Sequence, residues 1–173
     1  MIPTEILSAE HQNILKAIDL MLKECTEIGS GKELNKVFFN NALYFIQRYA
    51  DQFHHAKEEN ILFNELCKDT VEMHCNPTPQ MLHEHDLGRG FVKEMKEGLK
   101  ENNKDKIIQN ARNYCQLLKE HIDKEDNILY PMANDALNLN IQTIMAEEFA
   151  KVEEEMKEIK EKSLSFLGEK NES

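Results

Sequence analysis

Two ten-residue segments of this chain carry the same chemistry-bearing pattern. His54-His55-Ala56-Lys57-Glu58-Glu59-Asn60-Ile61-Leu62-Phe63 recurs as His121-Ile122-Asp123-Lys124-Glu125-Asp126-Asn127-Ile128-Leu129-Tyr130. Six of the ten positions are identical, and the pairs Glu59/Asp126 and Phe63/Tyr130 keep their chemistry. Residues i and i+4 of a helix lie one turn apart on one face. His54 with Glu58, and His121 with Glu125, therefore each offer an imidazole and a carboxylate to the same side. Two such pairs from two helices make half of a two-metal site. Two more histidines share a context, Glu10-His11 and Glu84-His85.

The elements that must position these groups read as helices. Six Gly, four Pro and no Trp, with many Leu, Ile, Met, Glu and Lys, predict an all-α protein. Apolar residues at three- and four-residue intervals place a first helix over about 4–28, closed by Gly29-Ser30-Gly31. A second spans about 32–70, and residues 71–79, with Pro77 and Pro79, form a loop. A third covers about 79–101. A fourth runs from about 104 to Tyr130, where Pro131 interrupts or kinks it. Short connections imply an up-down-up-down antiparallel four-helix bundle. The expected division is a bundle over 1–138 and an additional C-terminal amphipathic helix within 139–173, covering about 140–167. Phe149, Val152, Met156, Ile159 and Phe166 give that helix a narrow apolar stripe. It has two readings, a helix lying on the bundle or the seam of a homodimer.

In such a bundle one end gathers the starts of helices one and three and the ends of helices two and four. His11 and His85 lie roughly 10 Å inside their helix starts, and Glu58 and Glu125 roughly 8–18 Å inside their helix ends. One layer can thus hold His11, His54, Glu58, His85, His121 and Glu125. Four imidazoles and two carboxylates suit first-row transition metals; calcium and magnesium prefer oxygen-only shells. Structural zinc takes a closed four-ligand tetrahedron, so six N/O ligands from four helices fit a di-iron centre better. The chain has no Glu-x-x-His of the ferritin type and no His-Glu-x-x-His.

The remaining histidines read differently. His55 is rotated about 100° from His54 and is expected outside the ligand set. His83 points away from His85, towards solvent, and His74 lies in the proline-flanked loop. Glu59 and Asp126 are about 140° from their histidines and fit less well than Glu58 and Glu125. Lys57 and Lys124 are either solvated or paired with acids. The Ile-Leu-aromatic tails are expected in the core.

A formal net charge of −11, with no Lys/Arg cluster free of acids, argues against nucleic-acid binding. Cys25, Cys67, Cys75 and Cys115 form no Cys-x-x-Cys and read as free thiols. No signal peptide or membrane span is visible, so a cytoplasmic location is expected.

These residues resemble the hemerythrin-like, HHE cation-binding family. The matching pieces are Glu10-His11, the segment 54–63, Met81-Leu82-His83-Glu84-His85-Asp86-Leu87-Gly88-Arg89 and His121 to Glu125. The resemblance implies a non-heme di-iron centre that binds dioxygen, its two iron ions bridged by Glu58, Glu125 and a solvent oxygen. It differs from the invertebrate oxygen carriers, which present His-x-x-x-His on the third helix. Here the positions four residues either side of His85 are Met81 and Arg89. The carriers also use His-x-x-x-x-Asp on the fourth helix. Asp126 fits that spacing, whereas the internal repeat favours Glu125. One histidine fewer leaves a coordination position open. That leaves two alternatives to oxygen storage or sensing: redox reduction of dioxygen or peroxide, or a nitric-oxide and iron stress role like that of iron–sulfur cluster repair proteins.

Overall fold

The computed structural model describes residues 1–73 and 75–168; His74 lies outside them. Six helices make up the described chain, and no strand occurs among the described residues. Helix α1 is Pro3–Gly29. Helix α2 runs over 36–66 and α3 is Thr78–Glu101. Helix α4 runs over 104–136. Helix α5 is Leu139–Glu155 and α6 is Lys157–Gly168.

Local chemistry sets these boundaries. The side chains of Asn35, Asn103 and Asn138 accept from the backbone N–H three residues on and so cap α2, α4 and α5. Asn102 takes φ 55° at the end of α3, the left-handed turn that stops a helix. The chain then re-enters α4 at once. Here α3 and α4 pack closely, because a Cβ on Gly98 would lie 2.9 Å from Cγ1 of Ile107. Glycine is what permits that approach.

The core has two parts. One holds Ile14, Ile18, Met21, Phe39, Phe45, Phe53, Val92, Ile107, Leu118 and Ile122. The other holds Leu7 from the start of α1, Ile61, Leu62, Phe63 and Leu66 from the end of α2, Met81 from the start of α3, and Leu129, Tyr130 and Ala133 from the end of α4. That mixture of starts and ends makes the four helices alternate in direction. It also places residues 10–11, 54–59, 84–85 and 121–126 in one polar layer between two apolar clusters.

Three expectations need correction. Pro131 does not interrupt α4, because it falls in the first turn of a helical segment (Tyr130–Ala136) that follows a widened turn. The C-terminal segment is two helices, broken at Met156. Phe149 is buried beside the second core part and Phe166 in the first, against Phe38 and Phe45. Third, Ile128 of the second repeat is 52% exposed, although Ile61, Leu62, Phe63, Leu129 and Tyr130 are buried. The Leu139–Glu155 helix packs on the Glu58–Leu62 turn of the first copy. Among the described residues no helix is long and apolar enough to cross a membrane.

Candidate metal centre

Both repeats adopt π-helical turns. Ile46–His55, Glu58–Leu62 and Glu125–Leu129 bond i→i+5 inside otherwise α-helical segments. Such widened turns cost hydrogen-bond geometry and cluster at functional sites. Here they occur at the same Glu-acid-Asn-Ile-Leu sequence in each copy. The extra residue per turn lets both acids of each copy be used. The first faces the bundle axis and the second reaches a neighbouring helix.

All six expected residues meet in one buried layer. His11, His54, Glu58, His85, His121 and Glu125 are each at most 2% exposed. Nε2 of His11 lies 3.3 Å from Glu125 Oε2, and Nε2 of His121 lies 3.1 Å from Glu125 Oε1. Glu58 Oε2 is 3.6 Å from Nε2 of both His54 and His85. Nε2 of His85 and of His121 are 2.9 Å apart. Side-chain atoms able to hold an ion form two groups, His11, His54, Glu58 and Glu125, and His55, Glu58, His85 and His121.

The sequence reading left open what fixes these imidazoles. Each of the four sends Nδ1 to a carboxylate on an adjacent helix. His11 meets Asp126 at 2.9 Å, His54 meets Glu10 at 2.9 Å, His85 meets Glu59 at 2.7 Å and His121 meets Glu84 at 2.8 Å. The contacts run round the bundle from helix to helix. An Nδ1–H given to a carboxylate leaves the Nε2 lone pair free and aimed inward, and makes it a better donor to a metal. The acceptors are themselves held: Glu10 by Lys57, Glu84 by Lys124, Glu59 by Arg89 at 2.7 Å and Asp126 by Ser8 at 2.6 Å. The signals for them were in the sequence, as the acid before His11 and His85 and the second acid of each repeat. Glu59 and Asp126 thus lie behind the histidines, outside the inner group.

His55 corrects the sequence reading. It is 6% exposed, its ring stacks on His85 at 3.7 Å, and it faces the second group of metal-capable atoms. The widened turn carries it inward from the position that an α-helical wheel assigns. Burial and the adjacent His85 hold it well below its usual pKa, hence neutral. Its Nδ1 sits 3.5 Å from Asp51 without a proper hydrogen bond. His83 is exposed, as expected, and Met81 packs in the core.

The electrostatics of the layer are those of a site short of positive charge. Burial, then the neighbouring Glu125, pushes the Glu58 carboxyl well above the usual range. Burial opposes the charge on Glu125 too, but His121 and His11 outweigh it and hold that carboxyl well below the usual range. Burial disfavours charge on His11, yet Asp126 and Glu125 raise it to about 9. Burial likewise opposes charge on His121, and Glu125 and Glu84 overcome it to raise its pKa.

The fit to a metal rests on buried oxygens left without hydrogen bonds. Glu58 Oε2 is buried with no hydrogen bond, and the two Glu125 oxygens have only the ion-pair contacts with Nε2 of His11 and of His121 at 3.3 and 3.1 Å. An unpaired buried acceptor costs about 1–3 kcal/mol, more when charged. A cation placed among these oxygens and the Nε2 atoms would supply the missing partner for all of them, and the residue types suit a transition metal.

A proton balance follows. A ligating His11 must be unprotonated, yet with its pKa at about 9 it holds a proton at neutral pH. Metal uptake should therefore release at least one proton per chain, and affinity should rise about tenfold per pH unit between 7 and 9 for each proton displaced. Titration in weakly buffered indicator solution checks this; uptake without acidification would contradict it.

Beside the second group lies a cavity of about 80 Å³, bordered by His55, His85, His121, Val92, Tyr114 and Arg89. Arg89, 40% exposed, binds Asp51 as well as Glu59 there. A space of this size takes a small molecule.

Residues 2–133 match the family described as the hemerythrin HHE cation binding domain. No curated protein and no solved structure matches the chain.

Proposed function

The chain belongs to the hemerythrin HHE cation-binding family, and from that premise we propose that it is a non-heme di-iron protein that binds dioxygen. The observation that carries the reading is the set of three buried carboxylate oxygens that make no hydrogen bond and face four imidazoles. In each of those imidazoles the outer nitrogen is already committed to an acid. His11, His54, Glu58 and Glu125 would hold one ion. His85, His121, Glu58 and His55 would hold the other, with Glu125 turned towards both through its contacts to His11 and His121. His55 then supplies the second histidine that the positions flanking His85, Met81 and Arg89, do not.

Iron held there would supply the electrons for binding dioxygen. The chain's own residues do the rest. The two apolar clusters exclude bulk water from the layer on both sides. The Tyr130 hydroxyl donates to Glu58 Oε1 at 2.5 Å and lies 3.4 Å from His11 Nε2. Its one proton is committed to Glu58, so it fixes that carboxyl within the layer. The cavity beside His55 and His85 supports entry by a small molecule. Four free thiols, two of them exposed, support a reducing compartment and so a cytoplasmic location.

The test is to reduce the iron-loaded protein without air and then admit oxygen while recording visible absorption. Binding predicts a charge-transfer band that persists and disappears on deoxygenation. Rapid bleaching with continued consumption of reductant would refute carriage or sensing in favour of turnover. His55→Ala is expected to weaken the ion shared with His85 and His121 at least tenfold and leave the other ion in place. Two unaltered affinities by calorimetry would remove His55 from the site.

A further inference from the structure

We infer that Glu153 is a positioning residue for the metal centre: α5, a helix beyond the family-matched region, reaches the His54 side of the layer through it. The inference rests on the metal-binding reading above. Its basis is one continuous chain of contacts. Glu153 Oε1 accepts from Lys57 Nζ at 2.9 Å. The same ammonium binds Glu10 Oε1, and Glu10 Oε2 accepts Nδ1–H of His54 at 2.9 Å.

Lys57 is 0% exposed, which is exceptional for a lysine. Its ammonium also lies 3.7 Å over the Phe53 ring and 5.6 Å from that of Phe149 on α5. A buried ammonium needs its charge and its donors matched, and Glu10 meets only part of that need. Glu153 meets more, and is itself anchored by Lys160 of α6 at 2.6 Å. The C-terminal helices thus hold Lys57 at one place, and Lys57 holds the carboxylate that orients His54.

The matching half of the centre lacks this arm. Lys124, the repeat's equivalent of Lys57, binds Glu84, which accepts from His121. Its side chain is 36% exposed, and the ion pairs of Lys124 include no acid from α5 or α6. The two repeats are alike in sequence, yet among the described residues only the lysine of the first pairs with an acid of the C-terminal helices. The family-matched region ends at residue 133, and the arm is built from residues 153 and 160.

Without Glu153, Lys57 is left with Glu10 alone. It then draws that carboxylate away from His54, or turns towards solvent and releases it. Either change loosens the imidazole that holds one ion and leaves the other ion's ligands untouched. The probe is cobalt(II), titrated without air and followed by its ligand-field absorption. Wild-type protein is expected to take up two ions. Glu153→Gln should weaken one of the two by about three- to tenfold, less than the 10–100-fold typical of losing a direct partner of a ligand. Glu153→Asp should recover most of the loss. In a Lys57→Met background, Glu153→Gln should have no further effect, because the two act through one chain of contacts. Two unaltered cobalt affinities in Glu153→Gln, or an effect that adds fully to that of Lys57→Met, would overturn the inference alone. A wild-type protein that binds no cobalt would overturn the metal reading together with it.

Discussion

Glu58→Gln is expected to abolish two-metal binding while raising the melting temperature of the metal-free chain. The two effects have one origin. Glu58 is buried, its carboxyl is pushed well above the usual range by burial and by Glu125, and it has one oxygen without a hydrogen bond. An amide of the same shape still accepts from Tyr130. It also offers N–H groups to the neighbouring Glu125, whose oxygens have no hydrogen bond. Satisfying buried groups of this kind is worth about 1–3 kcal/mol. At ~2–4 °C per kcal/mol for a chain of this size, the metal-free variant should melt several degrees higher. The amide cannot serve as an anionic ligand to either ion, and Glu58 belongs to both groups of metal-capable atoms. Metal affinity should therefore fall by far more than the 10–100-fold of an outer partner. Calorimetric melting and metal titration read the two effects. A variant that binds two ions, or that is less stable than wild type without metal, would show that Glu58 serves packing.

Metal removal has the second large effect. An ion that binds only the folded chain stabilises it by about 4 kcal/mol at a thousandfold excess over its dissociation constant. One ion should then raise the melting temperature by roughly 8–16 °C, and two by more. Chelation should reverse the change. The layer gives the reason: burial and the neighbouring Glu125 disfavour charge on Glu58, one of its oxygens has no hydrogen bond, and a bound cation would offset that cost. A melting temperature indifferent to iron(II) and to chelator would contradict this.

Much of the fold, and the grouping of the candidate residues in one layer, could be read from the sequence, and the reasons are local. His54, Glu58, His121 and Glu125 were legible because a repeat fixes both residue type and spacing. His11 and His85 followed from depth, since antiparallel helices bring starts and ends into one layer, as Leu7, Ile61, Met81 and Leu129 do in the adjoining core. His55 was misread because an α-helical wheel assumes 100° per residue, and the chain widens into π-turns at the repeat. Nothing in the side chains from Ile46 to His55 signals that widening. The same turns let Glu59 and Asp126 reach His85 and His11, which a regular helix would deny them. Lys57 was read as solvated or paired, because its burial depends on Glu153, 96 residues away. The break at Met156 was hidden by an apolar stripe that continues across it, with Phe149 and Phe166 entering different parts of the core.

The central claim is that this layer holds two iron ions. The most direct test is metal content per chain after anaerobic loading with iron(II) and removal of unbound metal. The account predicts two iron ions per chain, lost together in Glu58→Gln. One zinc ion and no iron, or no retained metal, would contradict it.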